Sequence, residues 1–192
     1  MTVQTHQPTR EEAWGLVTEM TQSETLRRHV RSVEAAMRAY ARRFGEDEER
    51  WAVLGVIHDW DYESGPTPEL HPRRGIEMLR ERGWPPDILD DIASHAEYLD
   101  VPRDTPIRKA LFAVDEMCGF VIACALVKPD RSLSAVDART VRKKMKDKAF
   151  ARAVHRDQLL AGPEDLGVPF EEHVVVVRDA LVPIAAELGL NP

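Results

Sequence analysis

Apolar residues recur at steps of three and four through most of this chain, and no stretch alternates with a period of two for long. Helix is therefore expected almost throughout. A first helix over residues 9–20 follows Pro8, and a capping box at Thr21-Gln-Ser-Glu24 is expected to start a second, longer one. The stripe of the second runs Leu26, Val30, Val33, Met37, Tyr40, Phe44 and stops at Gly45, which suits the left-handed end of a helix. A third helix covers roughly 47–59, with Trp51, Leu54 and His58 on one side. The turn over 61–68 holds Gly65, Pro66 and Pro68 and cannot continue it.

His71-Pro72 opens a fourth helix that ends before Gly83, with Pro in the favoured first position. Pro85-Pro86-Asp87 starts a fifth, whose stripe reads Ile88, Ile92, His95, Leu99. Thr105-Pro106 offers a cap and first position for a sixth, reaching about Val127. The last helix begins near Pro169 with the stripe Phe170, Val174, Val177, Leu181, Ile184, Leu188, and Pro183 should kink it. Val174 to Val177 favour strand by propensity, but the longer helical period outweighs them. No repeat and no long linker divides the 192 residues, so one all-α domain is expected, with a core over about 24–127 and a helical extension over about 130–192.

Polar residues interrupt this pattern in a few telling places. The apolar run Trp51 to Ile57 ends in His58-Asp59, an imidazole beside a carboxylate. Burying such a pair without partners costs several kcal/mol, roughly, so something must compensate it. A cation does so economically, because both side chains are ready ligands. His29 and His95 sit on or beside apolar stripes, His71 stands at a helix entry, and Asp115 breaks an otherwise apolar helix. Taken jointly, His29, His58, Asp59, His71, His95 and Asp115 suggest a metal site built from inward side chains of facing helices. His6, His155 and His173 fall outside this pattern and read as ordinary surface or helix residues.

Composition narrows the picture further. Hydrophobic residues at 43% with charged residues at 31% exclude a disordered chain. A net charge of −7 makes a general nucleic-acid binder a poor expectation. Cys118 and Cys124, six apart on one helix, cannot bridge each other and read as buried hydrophobes of a reducing compartment. The N-terminal residues lack an apolar signal region, and the Leu111–Val127 stretch is broken by Asp115 and Glu116; a cytoplasmic protein without a membrane span is expected. Between Arg139 and Arg156 lie eight basic residues against the single acid Asp147. That run reads as a solvated helix face, as a positive lid over a phosphate substrate, or as a nucleic-acid contact, although Phe150 is its one aromatic residue.

The order His29, His58-Asp59, Asp115 on a helical background resembles the HD-domain superfamily of metal-dependent hydrolases. His71 and His95 resemble the additional histidines of its two-metal members, and the segments 128–133 and 141–151 resemble a subgroup of predicted hydrolases without an assigned substrate. Where the common form reads His-Asp-Ile-Gly, this chain reads His58-Asp-Trp-Asp61. The resemblance implies an HD-domain-like helical bundle in which His29, His58, Asp59 and Asp115 hold one ion. Asp59 would bridge to a second ion held by His71 and His95. His58 and Asp59 would then be catalytic, and the ions one or two divalent Fe, Mn, Co or Zn. Two such cations about 3.5–4 Å apart suit the in-line displacement of a phosphate ester, so the expected partner is a small phosphate-bearing molecule or nucleotide.

Arg73, Arg74 and Lys144 are candidates for meeting that phosphate, and Asp61 and Glu63 for orienting a ligand or water. The same resemblance leaves two other outcomes open. Six-ligand members include di-iron oxygenases, and a regulatory module that keeps its metal for structure would show closed coordination with no pocket beside it.

Overall fold

Thr9 and Glu12 cap one another at the start of α1 (Arg10–Met20) in the computed structural model of the protein, which describes residues 6–192. The Thr9 hydroxyl accepts from the Glu12 backbone N–H, and the Glu12 carboxylate accepts from that of Thr9. The capping box thus stands one helix earlier than the sequence pattern placed it. Thr21 instead closes α1 and donates its hydroxyl to the Trp60 carbonyl, while Ser23 caps α2 (Glu24–Phe44). Gly45 ends α2 at φ 70°, and Asp47 caps α3 (Glu48–Ile57).

α3 packs closely on α2 because Gly55 has no side chain: a Cβ there would lie 2.8 Å from Glu34 Cα. Backbone meets backbone at that level, which brings the end of α3 alongside His29 on α2. A partly buried salt bridge ties α1 to α2, as Arg10 of α1 grips Glu34 with two hydrogen bonds of 3.0 and 2.9 Å.

The remaining helices are α4 (Arg73–Glu81), α5 (Pro86–Ala93), α6 (Pro106–Leu126), α7 (Ala138–Met145), α8 (Gln158–Leu166) and α9 (Phe170–Leu181). Among the described residues there is no strand, only one isolated bridge pairing Ser132 with Asn191. α2 and α6 form the centre: α2 contacts α3, α6 and α9, while α6 also receives α8. One apolar cluster runs from Ala13 through Met37, Leu54, Leu111 and Phe120 to Leu181 and Leu190. No helix among the described residues is long and apolar enough to cross a membrane.

Several details depart from the sequence expectations. α4 begins at Arg73, so His71 and Pro72 precede it, with Pro72 as the cap residue. α5 ends at Ala93, which leaves His95 in the turn beyond it instead of on a helical stripe. Thr105 starts α6 by its backbone alone, and its buried hydroxyl has no hydrogen-bond partner among the described residues. Pro183 does not kink a continuing helix; α9 stops at Leu181 and passes into a short 3-10 turn, Val182–Ile184. α8 had no counterpart in the sequence reading, and the basic run is α7 followed by turns, not one helix face.

His173 is no ordinary helix residue either. It is fully buried, its Nε2 donates to the Ala113 carbonyl at 2.9 Å, and its Nδ1 therefore accepts the Tyr40 hydroxyl at 2.6 Å. Cys118 and Cys124 are free and buried. Burial raises both thiols above their ordinary value, Cys124 to about 11.

Candidate metal centre

The last turn of α3 aims its end inward. His58 donates Nδ1–H to the Gly55 carbonyl at 2.9 Å, which fixes the ring and leaves Nε2 with a bare lone pair. That Nε2 is fully buried and has no hydrogen-bond partner among the described residues. It lies 3.6 Å from Asp59 Oδ1 and 3.6 Å from Asp115 Oδ1, the latter supplied by α6. His29 reaches across from α2, with Nε2 3.0 Å from Asp115 Oδ1 and 3.7 Å from Asp59 Oδ2. The donor atoms of these four residues all lie within 4.8 Å of one another.

A second group shares Asp59. His71 Nε2 is 3.2 Å and His95 Nε2 is 3.4 Å from Asp59 Oδ1, and the two Nε2 atoms are 3.2 Å apart. Both rings are oriented from behind: His71 donates Nδ1–H to Asp61 Oδ1 at 2.8 Å, and His95 donates Nδ1–H to the Ile92 carbonyl at 2.5 Å. Two nitrogen lone pairs then face each other beside a carboxylate, an arrangement that is repulsive until positive charge enters.

In the metal-free chain protons supply that charge. Burial pulls the His29 pKa down, but the hydrogen bond and charge of Asp115 outweigh it and push it up to about 9. Burial likewise opposes, and Asp59 and Asp61 overcome, in bringing His71 up to about 9. Burial is the largest single effect on His58 and lowers it, but Asp59 and Asp115 together outweigh burial, so His58 is raised as well. Asp59 and Asp115, despite burial, are held well below the usual carboxylate range by these imidazoles. A pocket that draws protons so strongly onto neutral ligands draws divalent cations by the same potential. The oriented rings, the unpartnered His58 Nε2 and the shared carboxylate fit one or two ions. Mixed imidazole and carboxylate donors suit Fe, Mn, Co or Zn.

Asp61 is buried, and besides orienting His71 it accepts from the Gly75 N–H at 2.7 Å. Gly75 is obligatory there: a Cβ would fall 2.6 Å from Asp61 Cγ and 2.7 Å from Trp60 Nε1. Glu63, in the same turn as Asp61, points elsewhere. Its carboxylate accepts from the backbone N–H groups of Gln22 and Ser23 at 2.5 and 3.1 Å and ties the start of α2. The structure therefore gives Glu63 a helix-tethering place, and it is not among the residues that line the cavity beside the cluster.

A cavity of about 700 Å³ opens beside the cluster, lined by His29, Asp59, His71, His95 and Asp115 and by residues the sequence reading did not single out, among them Tyr62, Tyr98, Glu116 and Gln158. Arg73, Arg74 and Lys144 are not among its lining residues. The first two are exposed because α4 turns Gly75 and Ile76 to the core, and Lys144 lies over the Phe150 ring at 4.6 Å. The basic run meets the cavity only through its end, Ala153 to His155. Arg156 anchors that end by donating to four backbone carbonyls, those of Asp147, Phe150, Ala151 and Val154. His155 Nδ1 pairs with Glu116 Oε1 at 2.7 Å, and Tyr98 donates its hydroxyl to the His71 carbonyl at 2.5 Å. Glu116 interrupts the apolar stretch beside Asp115 and His155 falls outside the clustered pattern, and nothing in either position tells that the two meet.

Comparison with protein families finds one match: the HD domain model aligns with residues 26–149, a span that contains all six clustered residues. No curated protein and no solved structure matches the chain.

Proposed function

The chain belongs to the HD domain family, whose chemistry is of the metal-dependent hydrolase type, and on that premise we propose that it is a phosphohydrolase of a small phosphate ester. The observation that carries this reading is the sharing of Asp59 between two donor groups, one with the unpartnered His58 Nε2 and one with the facing His71 and His95 nitrogens. His29, His58, Asp59 and Asp115 would hold one ion, and Asp59, His71 and His95 a second. Bound there, divalent ions would acidify water and neutralise phosphoryl oxygens.

The protein's own groups do the rest. Asp61 and the carbonyls of Gly55 and Ile92 keep the imidazoles aimed before any substrate arrives. Tyr98 fixes the backbone at His71, and the cavity offers room for a small ester next to the cluster. That open space argues against a purely structural metal site. In the reaction water adds to phosphorus, the P–O bond to the alcohol breaks, and the alcohol oxygen leaves with a proton. The test is phosphate release from a panel of small esters by protein loaded with Mn or Fe, beside its Asp59→Asn variant. Metal-dependent release, reduced about 10³-fold in the variant, is expected from losing several kcal/mol of charge stabilisation, roughly. Release that is absent with every metal, or undiminished in the variant, overturns the reading; oxygen uptake in its place would assign the same ligands to oxidation.

A further inference from the structure

Beyond the metal-facing residues, the cavity is lined among the described residues by three more carboxylates, Glu97, Glu116 and Asp157, and by no lysine or arginine. This is unexpected beside a centre that receives phosphate, because sites built for polyanions ordinarily place arginine or lysine around them. The positive charge near the wall is small. His155 pairs with Glu116, and Arg103 stands 3.7 Å from Glu97 but is shared with Asp165 at 3.5 Å. Asp157 stands at the start of α8 in helical conformation and lends its carboxylate to no cap hydrogen bond. Two tyrosines, Tyr62 and Tyr98, are 37% and 44% exposed at the same cavity, enough to present ring surface to a ligand. These acids do not form an isolated cluster. They wall a cavity beside a donor set whose buried His58 Nε2 lacks any partner.

Resting on the phosphohydrolase reading, we infer that the alcohol portion of the substrate carries a cationic nitrogen, so that the ester is zwitterionic. The metal end of the cavity takes the phosphate. The wall of carboxylates and tyrosines takes an ammonium through charge attraction and contact with the aromatic faces. The same wall repels a second phosphate or a carboxylate, and this disfavours nucleoside polyphosphates and sugar bisphosphates.

A pair of isosteric esters tests this: 2-(trimethylammonio)ethyl phosphate and 3,3-dimethylbutyl phosphate, which differ by one charge. Turnover is measured on the full-length, Mn-loaded protein, and binding of the two corresponding phosphonates, which cannot be hydrolysed, is measured by calorimetry. The ammonium compound should be favoured about tenfold in both readouts. In a Glu97→Gln/Asp157→Asn double variant, and separately in Glu116→Gln, that ratio should fall toward one. A ratio of one in the unaltered protein, or a preference that survives all three substitutions, overturns the inference. Hydrolysis of both esters without preference would leave the phosphohydrolase reading standing alone. Preferential binding of the ammonium phosphonate without hydrolysis of either ester would sustain the ammonium preference and, with no release from the wider ester panel, remove that reading. Binding and hydrolysis of neither compound overturns the inference, and the ester panel then decides the phosphohydrolase reading by itself.

Discussion

His71 and His95 bring their Nε2 atoms to 3.2 Å of each other, each ring held by a hydrogen bond from its opposite nitrogen. Neither can turn away without breaking that bond. The pair is thus set for a shared positive charge, and Asp59, touching both, connects it to the His29, His58 and Asp115 group.

The support behind His71 should matter nearly as much as His71 itself. Asp61→Asn keeps the shape but weakens the acceptor, and Gly75→Ala forces a Cβ into the Asp61 carboxyl group. Each is expected to lower metal affinity about 10–100-fold for the ion beside His71, while the ion beside His29 and His58 is held as before. Competition titration with a chelator would show one weakened step out of two; equal weakening of both would speak for general misfolding.

Metal uptake should depend on pH in a defined direction. His29 and His71 are raised from 6.5 to about 9, so in the metal-free protein their protons stabilise the fold fully below 6.5, and this contribution is lost as pH rises through about 9. A cation must displace those protons. Apparent affinity should therefore climb between pH 6 and 9, by about tenfold per unit for each proton released. Calorimetry in buffers of different ionisation enthalpy counts the protons; a value of zero near pH 7 would contradict the site's electrostatics.

His173 gives the opposite sign. Burial lowers it from 6.5 to about 4, although the Ala113 carbonyl favours the charged ring. The unfolded chain then takes up a proton that the folded chain refuses, and stability falls as pH drops from 6.5 toward 4, by about 3 kcal/mol in all. Urea midpoints across that range should show the slope, and His173→Gln should flatten it. Parallel slopes in the two proteins would remove His173 as the cause.

Asp91 joins three helices around the site. Its two oxygens accept from Arg50 of α3 and Arg108 of α6, each at 2.7 Å, and the carboxyl group is buried on α5. Asp91→Ala leaves two arginines without their shared anion and should cost about 2 kcal/mol, discounted because both arginines are partly exposed. A fall in Tm of about 4–8 °C is expected for a chain of this size; an unchanged Tm would mean solvent replaces the acid without loss.

Periodicity made the helices legible, because a stripe such as Leu26 to Phe44 records which side meets the core. The six clustered residues were legible for the complementary reason, as polar groups standing where that stripe or its ends should be apolar. What stayed hidden depends on contacts distant in sequence. Asp61 and Glu63 belong to one turn and have equal chemistry, yet the first meets His71 and the second meets the start of α2. Gly162-Pro163 looks like a helix break, but α8 forms through it because Gly162 packs on Ala113 of α6, where a Cβ would come within 2.6 Å. Arg156 reads as one cation of a basic run and proves to be the anchor of a loop. His173 finds its partners, Tyr40 and Ala113, 133 and 60 residues away.

The most direct test is anomalous X-ray scattering at the metal edge from crystals of the Mn- or Fe-loaded protein. Strong peaks within about 2.0–2.3 Å of His58 Nε2 and of an Asp59 oxygen, with a second between Asp59, His71 and His95 when both positions fill, are the expected result. A loaded crystal with no anomalous peak near Asp59, or with peaks only at surface carboxylates, would contradict a metal centre here.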